Sequence, residues 1–575
     1  MTTAAEDRPL PEAVPNPASA ASLAEGAQWQ GSFLFRFLRE PLAAVAICVF
    51  IGLAARLYGV NVAYTSDEGY WLHRTVVFTN SLMNGDFAAT YRSGHPGVTV
   101  MWTGLLGIGP DGARLFAGED SRTAPALEAA PGARRLMTLS RTAVSVLAAG
   151  LFGLAVWLAG RLLGAAGLFG AVLLAADPYT IGMTRLLHVD ALLTPLLVVA
   201  VLAGLVYWLE GRQWPFLVLS AVAAGLALLT KAPAVTVLPF FGIVWLVVAR
   251  PWRGGRRLWR AWVAPLAWML LVAAVYAALW PSFWVQPIKT VSDVARFAVS
   301  LGGAPHLWPT YFLGRPTTGD PGLLFYPIAM ALRLGPVATI GLLLLASLAV
   351  LRKLERGARV LWLLAFVVVF TDIMAIGSKK FDRYMLPALA VLTILGGVGI
   401  VALARQLRRR LAAAVVALAV VGQAVWLASS YPYPIAAYNP LLGGTAVASR
   451  TIMVGWGEGL EQAAAYLNGL ETPGRLTTST QYHHVLRLLF DGRTVRVPSS
   501  RTVDYFVVYV NMVQRNTVPI PVRQAMATSQ PIFTAAVNGV PFAWVYKGPF
   551  QIASQRDVPS ETGDDGESDA DGPSE

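Results

Sequence analysis

Arg250-Pro-Trp-Arg-Gly-Gly-Arg-Arg-Leu-Trp-Arg260 lies between two long apolar runs, 235–249 and 261–280. Runs of about 20 apolar residues are long enough to cross a bilayer. A short arginine-rich loop between two of them marks the cytoplasmic side, because Lys and Arg resist translocation. Two further loops have the same character, Arg352-Lys-Leu-Glu-Arg-Gly-Ala-Arg359 and Arg405-Gln-Leu-Arg-Arg-Arg410. All three fall in alternate gaps between apolar runs, as one consistent topology requires. Cations in the opposite gaps break that pattern and need a separate reason to be there.

Composition agrees with a membrane chain. Of 575 residues, 55% are hydrophobic and only 14% are charged, against about 25% charged in a soluble domain. Eleven apolar runs read as spans: 41–60, 138–160, 162–177, 190–209, 214–230, 233–249, 261–280, 322–351, 359–377, 384–404 and 411–430. Gly335-Pro336 lies inside the eighth and is placed to break it. The expected fold class is therefore a polytopic α-helical membrane protein of about 11 transmembrane helices. Arg36 and Arg39 precede the first run and hold the N-terminus in the cytoplasm. An odd count then puts the C-terminal region outside the cell membrane. The net charge of +12 comes largely from the basic loops. It reads as topology and contact with anionic lipid headgroups, with no nucleic-acid partner. Cys48 is the single cysteine, so neither an intrachain disulfide nor a cysteine-type zinc site is available.

Four segments are expected. Residues 1–34 are rich in Ala, Pro, Ser and Glu and read as a disordered cytoplasmic N-terminus, not a signal peptide. Residues 35–430 hold the spans. Residues 431–555 read as a small extracytoplasmic α/β domain, from alternating segments at 505–510 and 543–546, a helical pattern at 459–467 and an Asn538-Gly539 hairpin signal. Residues 556–575 form an acidic tail expected to be disordered. Two outside loops, 61–137 and 281–321, are long and aromatic; Trp284, Trp308 and Tyr311 in the second suit helices lying in the interface.

Candidate chemistry gathers in the outer gaps. Thr65-Ser-Asp-Glu-Gly-Tyr-Trp71 opens the first outside loop. Asp67 and Glu68 there could supply a general base for an acceptor hydroxyl, or simply cap a helix. His95-Pro96-Gly97 offers a metal ligand, a base-orienting His or a hydrogen-bonded turn. Arg185, His188 and Asp190 lie between the third and fourth runs, Lys231 after the fifth, and Lys379, Lys380, Arg383 and Tyr384 between the ninth and tenth. Convergent Lys and Arg at an outer membrane edge suggest an anionic ligand, and phosphate suits both side chains. Headgroup snorkelling is the alternative. Arg333 and Asp372 read as intramembrane charges, each costing roughly 2.5–3.5 kcal/mol; a mutual ion pair or a substrate role accounts for them. Asp67, Glu68, His95, His188 and Asp190 could converge on a divalent metal, but no HExxH spacing occurs. Neither a P-loop nor a Rossmann glycine pattern is present, which counts against a nucleotide ligand.

In their order along the chain, these motifs resemble a known family. The Asp-Glu opening of the first loop, the later His-Pro, Arg185-Leu-Leu-His-Val-Asp190, Lys231-Ala-Pro and Lys380-Phe-Asp-Arg-Tyr-Met-Leu-Pro387 are similar to those of bacterial phospholipid carrier-dependent glycosyltransferases. These share the GT-C fold with protein O-mannosyltransferases and aminoarabinose transferases. The resemblance covers about 35–430. Tyr438-Asn-Pro-Leu-Leu-Gly-Gly444 and Val454-Gly-Trp-Gly-Glu-Gly459 resemble a subgroup with an added C-terminal domain. The resemblance implies a polyprenyl-phosphate-linked sugar as donor, no required cofactor, Asp67 as the catalytic acidic residue of the first loop, and Lys380 and Arg383 beside the lipid phosphate. His95 departs from the family in context, since Pro-Gly follows it where many relatives have Pro-Pro.

The sequence thus points to a membrane glycosyltransferase. Asp67 is the expected base with Glu68 as alternative. Lys231, Lys379, Lys380, Arg383 and Tyr384 form the donor phosphate set. His95, Arg185, His188, Asp190 and Arg333 are further substrate-binding candidates. The acceptor would be a protein, lipid or wall-glycan hydroxyl, and transfer would invert the anomeric centre. A transporter or flippase for an anionic lipid or solute is the alternative, weakened by the lack of an internal repeat. Loss of activity in a structural partner is a third reading. Gly455-Trp-Gly-Glu-Gly459 reads either as a glycan contact or as a glycine-rich turn into a helix.

Overall fold

The computed structural model describes residues 41–115, 127–128, 130–250, 258–303, 308–351, 356–499 and 501–552. The N-terminal segment 1–34, the acidic tail 556–575 and much of the two loops 250–260 and 352–359 lie outside the described residues.

Each of the eleven apolar runs becomes helix, and the helices differ in length. Among the described residues seven helices are long and apolar enough to span a membrane: Ala133–Leu163, Val189–Leu209, Ala232–Ala249, Trp259–Leu279, Gly357–Ile376, Asp382–Ala404 and Arg409–Ser429. The eighth run is broken where expected. Phe325–Arg333 and Pro336–Val350 meet at 116°, with Pro336 opening the second helix. Counted as one span, this pair raises the total to eight. Leu42–Leu57, Ala165–Ala175 and Trp214–Leu228 are shorter. The 11-residue helix Ala165–Ala175 rises only about 16 Å at 1.5 Å per residue, roughly half a hydrocarbon core. The chain is a multi-pass membrane protein.

Burial separates the bundle's centre from its rim. Val189–Leu209 is enclosed along its whole apolar window and Asp382–Ala404 over 83% of it, whereas Trp259–Leu279 is enclosed over 17%. The two inner helices therefore form the core, and the outer ones turn apolar faces outward. Close approach is made by glycine, as is usual where helices pack in lipid. A Cβ on Gly341 would lie 2.0 Å from the Gly396 carbonyl oxygen, and one on Gly397 2.3 Å from Gly170 Cα.

The first long loop, 61–137, holds helices Ser66–Met83 and Val98–Arg114. The second gives Pro281–Val285 and Pro287–Gly303, whose Trp284, Ile288 and Val299 are exposed. A hairpin of β1 (Thr310–Phe312) and β2 (Arg315–Thr317) follows, and Phe312 bridges to Ile452.

Beyond Ser429 a five-stranded sheet forms from β3 (Thr477–Ser479), β4 (Arg493–Val495), β5 (Thr502–Tyr509), β6 (Phe533–Val537) and β7 (Val540–Gln551), in the order β4-β3-β5-β7-β6. β3 runs parallel to β4 and β5, and β7 is antiparallel to β5 and β6. Asn538 and Gly539 both have positive φ at the β6–β7 turn, 50° and 76°, as a tight two-residue hairpin needs. Helix Leu460–Asn468 occupies the expected helical stretch.

Candidate active site

Asp67 and Glu68 are neighbours in sequence with opposite surroundings, because one helical step turns the side chain by about 100°. Glu68 points into the protein. Its Oε2 accepts the Thr65 amide at 2.9 Å, and its Oε1 accepts Arg141 Nε at 2.6 Å and the Leu187 amide at 3.0 Å. Arg141 Nη2 also bonds Glu68, and Arg141 donates to the carbonyls of Val60, Val62 and Ala63. Both side chains are wholly buried. Glu68 thus anchors the first loop to helix Ala133–Leu163, and every direction around its carboxylate is occupied. It is not placed to receive a substrate proton.

Asp67 stands in an open pocket. Its Oδ1 accepts Ser66 Oγ at 3.0 Å. Its Oδ2 lies 3.4 Å from His188 Nε2 and 3.7 Å from Arg383 Nη2, both long contacts that leave it without a closed hydrogen bond. His188 Nδ1 accepts the Asp190 amide at 3.2 Å, which fixes the neutral-ring proton on Nε2, toward Asp67. Burial pushes the Asp67 carboxyl up, but the contact with His188 and the charge of Arg383 outweigh it and hold it well below the usual carboxylate range.

Arg383 is the hub. Its Nε lies 3.7 Å from Asp190 Oδ2. Its guanidinium sits 4.3 Å from the ring centres of both Phe381 and Trp456 and 5.7 Å from that of Tyr384. Lys231 Nζ bonds Asp190 Oδ1 at 2.8 Å and lies 4.4 Å from the Tyr384 ring centre. Asp67, His188, Asp190, Lys231, Arg383 and Tyr384 therefore form one contiguous cluster.

The remaining candidates are placed differently. Lys380 Nζ bonds Asp320 Oδ1 at 2.6 Å and the Gly322 carbonyl at 3.3 Å, so it ties down the loop before the bent pair and does not line the pocket. Lys379 lies 6.0 Å from the Phe381 ring. His95 packs edge-on against Phe297 at 4.9 Å. Burial, then the charges of Lys231, Lys379 and Arg74, keep it well below the ordinary histidine range and so neutral. Arg185 donates to the carbonyls of Tyr58 and Pro432 at 3.2 and 3.4 Å, a structural seam. Arg333 does line the pocket, but its partner is Asp382, at 2.6 Å, and not Asp372. Asp372 is exposed on its helix. Arg333 also bonds the Ile435 and Ala437 carbonyls and Tyr438 Oη.

The residues offered for a metal are split: Glu68 is engaged by Arg141, and the carboxylates of Asp67 and Asp190 turn toward Arg383 and Lys231. Among the described residues no group of three or more His, Cys, Asp or Glu is arranged to hold a metal ion.

Residues 138–282 match the family described as dolichyl-phosphate-mannose-protein mannosyltransferase. Over that stretch the chain resembles the protein mannosyltransferases. The resemblance read from the sequence is thus found independently. The matched stretch holds Arg141, His188, Asp190 and Lys231, whereas Asp67 and Arg383 lie outside it. Similar solved structures include ArnT from Cupriavidus metallidurans bound to undecaprenyl phosphate, 15% identical with a TM-score of 0.48 over 87% of this chain and 97% of that one. Another is the archaeal oligosaccharyltransferase AglB from Archaeoglobus fulgidus in complex with an inhibitory peptide and a dolichol-phosphate, 13% identical with a TM-score of 0.43 over 91% and 75%. No curated protein sequence matches.

Sequence reasoning missed Arg141 and Asp382. Arg141 carried a usable signal, since a charge eight residues into a 31-residue apolar helix is expensive and demands a partner. It also left Trp456 and Glu458 undecided. Both line the pocket, brought there by a loop whose Gly455, Gly457 and Gly459 all have positive φ.

Proposed function

We propose that this chain is an integral-membrane glycosyltransferase of the GT-C type, which moves one sugar from a polyprenyl-phosphate donor to an acceptor hydroxyl on the outer face of the membrane. The observation that carries it is the pairing of an unclosed carboxylate, Asp67, with a guanidinium 3.7 Å away in a pocket where the apolar bundle meets the C-terminal domain.

The acceptor O–H gives its proton to Asp67 as its oxygen forms a bond to the anomeric carbon. The bond from that carbon to the phosphate oxygen breaks, its electron pair leaves with the polyprenyl phosphate, and the centre inverts. Negative charge grows on the phosphate, so a preorganised cation stabilises the transition state more than the ground state. Arg383 is best placed for this, with Lys231 behind it. Arg383 also explains why the free carboxyl is a weak base. A donor phosphate that engages Arg383 reduces its pull on Asp67 and strengthens the base when the donor is present.

The transporter reading rested on a cationic cavity. Here the cations from the transmembrane part each face a carboxylate: Arg383 faces Asp67 and Asp190, and Arg333 faces Asp382. The hexose character of the sugar, the acceptor and the outward orientation belong to this proposal. Purified protein in nanodiscs should release polyprenyl phosphate from a labelled polyprenyl-phosphate sugar and pass the label to an acceptor. Uptake of the intact lipid without cleavage would overturn it.

A further inference from the structure

The pocket does not end at the cluster of Asp67 and Arg383. Its far wall is made by Trp456, Glu458, Tyr482 and Arg515, all from the region beyond the last apolar helix. We propose that these residues form the subsite for the donor's sugar, with Trp456 as the platform under the ring.

Connectivity gives the first reason. Given the reading of Arg383 as the phosphate ligand, on which this inference rests, the donor's sugar is attached directly to the group on Arg383. Trp456 covers that guanidinium at 4.3 Å and meets His188 edge-on at 5.0 Å, so the indole stands at the junction between the phosphate cation and the residue facing the base. A sugar leaving the phosphate toward the acceptor must lie beside it.

Fixed geometry gives the second. The loop is pressed onto the turn that carries Asp67 on one side, where a Cβ on Gly457 would lie 2.0 Å from the Tyr64 carbonyl oxygen, and onto the C-terminal domain on the other, where one on Gly455 would lie 2.6 Å from Val510 Cγ1. Glu458 Oε2 accepts the Trp456 amide at 2.5 Å, and Tyr509 Oη lies 3.1 Å from that same oxygen. Tyr509 also receives the Gly457 amide at 2.9 Å. The backbone of Trp456 is therefore held in register with Asp67 by the contact at Gly457 and by buried hydrogen bonds to Glu458 and Tyr509.

Chemistry gives the third. A monosaccharide presents an apolar C–H face and a rim of hydroxyls. An aromatic face beside a carboxylate and a guanidinium matches both. Arg515 is buried, with its Nε 3.1 Å from Met453 Sδ, and Tyr482 Oη bonds Asn511, so these polar groups are anchored before a ligand arrives.

The test measures binding of bare undecaprenyl phosphate and of its mannosyl, glucosyl and arabinosyl phosphodiesters to nanodisc-embedded protein, for the natural sequence and for Trp456→Leu, Trp456→Phe and Arg515→Gln. At least one glycosylated lipid should bind about tenfold more tightly than the bare lipid. Trp456→Leu should erase that difference by weakening the glycosylated lipid more than the bare one, and Trp456→Phe should restore part of it. Arg515→Gln provides a second arm if Trp456→Leu melts early. Equal loss for bare and glycosylated lipids would show that Trp456 serves Arg383 alone and overturn the subsite, as would equal affinity of all four lipids for the natural protein. Failure of the natural protein to bind any of them would instead overturn the glycosyltransferase reading.

Discussion

Asp67→Asn and Glu68→Gln alter adjacent carboxylates by the same chemistry, and the structure assigns them opposite consequences. Glu68→Gln leaves Arg141 buried with its charge uncompensated, because both side chains are fully enclosed. Removing one partner of such a pair typically costs about 3–5 kcal/mol. The amide keeps some of the hydrogen bonds from Arg141 and Leu187, so the lower end of that range applies. With an unfolding entropy of about 2.1 cal/mol/K per residue over 575 residues, each kcal/mol moves the melting midpoint by about 1 °C, so it should fall by about 2–3 °C. Asp67→Asn should lower it less, since the amide keeps the Ser66 hydroxyl bond and gives up only the two long contacts to His188 and Arg383. Single-turnover transfer should show the reverse: about 10²–10⁴ lost in Asp67→Asn, and much less in Glu68→Gln measured below its melting range. Adding Arg141→Met to Glu68→Gln should recover part of the lost stability, because no buried charge then remains. Static light scattering during thermal unfolding and a rapid-quench assay with labelled donor supply both readouts. A Glu68→Gln protein that melts normally but transfers no sugar would exchange the two roles and refute the reasoning.

Three further outcomes follow from the same geometry. Arg383→Lys should transfer more slowly than the natural protein but faster than Arg383→Ala, since a point charge replaces a planar fork; single-turnover rates that do not rank so would move the phosphate site toward Lys231. The acid limb of kcat/KM, which reports the donor-free enzyme, should lie below the ordinary Asp range near pH 4, because a depressed carboxyl stays ionised until the pH falls through its lowered value. In Arg383→Gln that limb should move up, and a limb that moves down would exclude Asp67 as the titrating group. With Cys48 replaced, cysteines at Gln406 and Gly539 should react with a membrane-impermeant maleimide from opposite sides of sealed vesicles; labelling of both from one side would reverse the proposed orientation.

The apolar runs were legible because their length alone distinguishes them, yet the ends of the helices were not. A hydropathy window joins a helix to the turn that follows it. At 162–177 it absorbed Ala176-Asp177, where Asp177 Oδ1 already accepts the Thr180 amide at 2.7 Å to begin the next helix, Pro178–Met183. The site was half legible for a related reason. Lys231, His188, Asp190 and Arg383 betray themselves as charges in gaps where topology does not call for them. Their pairings do not, because Lys380 meets Asp320 across 60 positions and Arg333 meets Asp382 across 49. Two lysines adjacent in sequence thus read alike, although Lys380 holds a loop by its own carboxylate. The glycines at 455, 457 and 459 announced a tight turn, but what the turn presses against is set by the sheet and the first loop together.

Charge balance links these features into one mechanism. Without a donor, Asp67 and Asp190 are balanced by Arg383 and Lys231, so the buried cluster needs no external ion. A phosphate that takes a share of Arg383 breaks the balance locally, and the carboxylate that loses most is the one with no other cation: Asp190 keeps Lys231 at 2.8 Å, whereas Asp67 keeps only the His188 ring at 3.4 Å and the Ser66 hydroxyl. The same event that loads the leaving group therefore raises the proton affinity of Asp67 and leaves Asp190 ionised to hold Lys231 in place. Two carboxylates equally near Arg383 are thus separated into a base and a fixed counter-charge by their second partners.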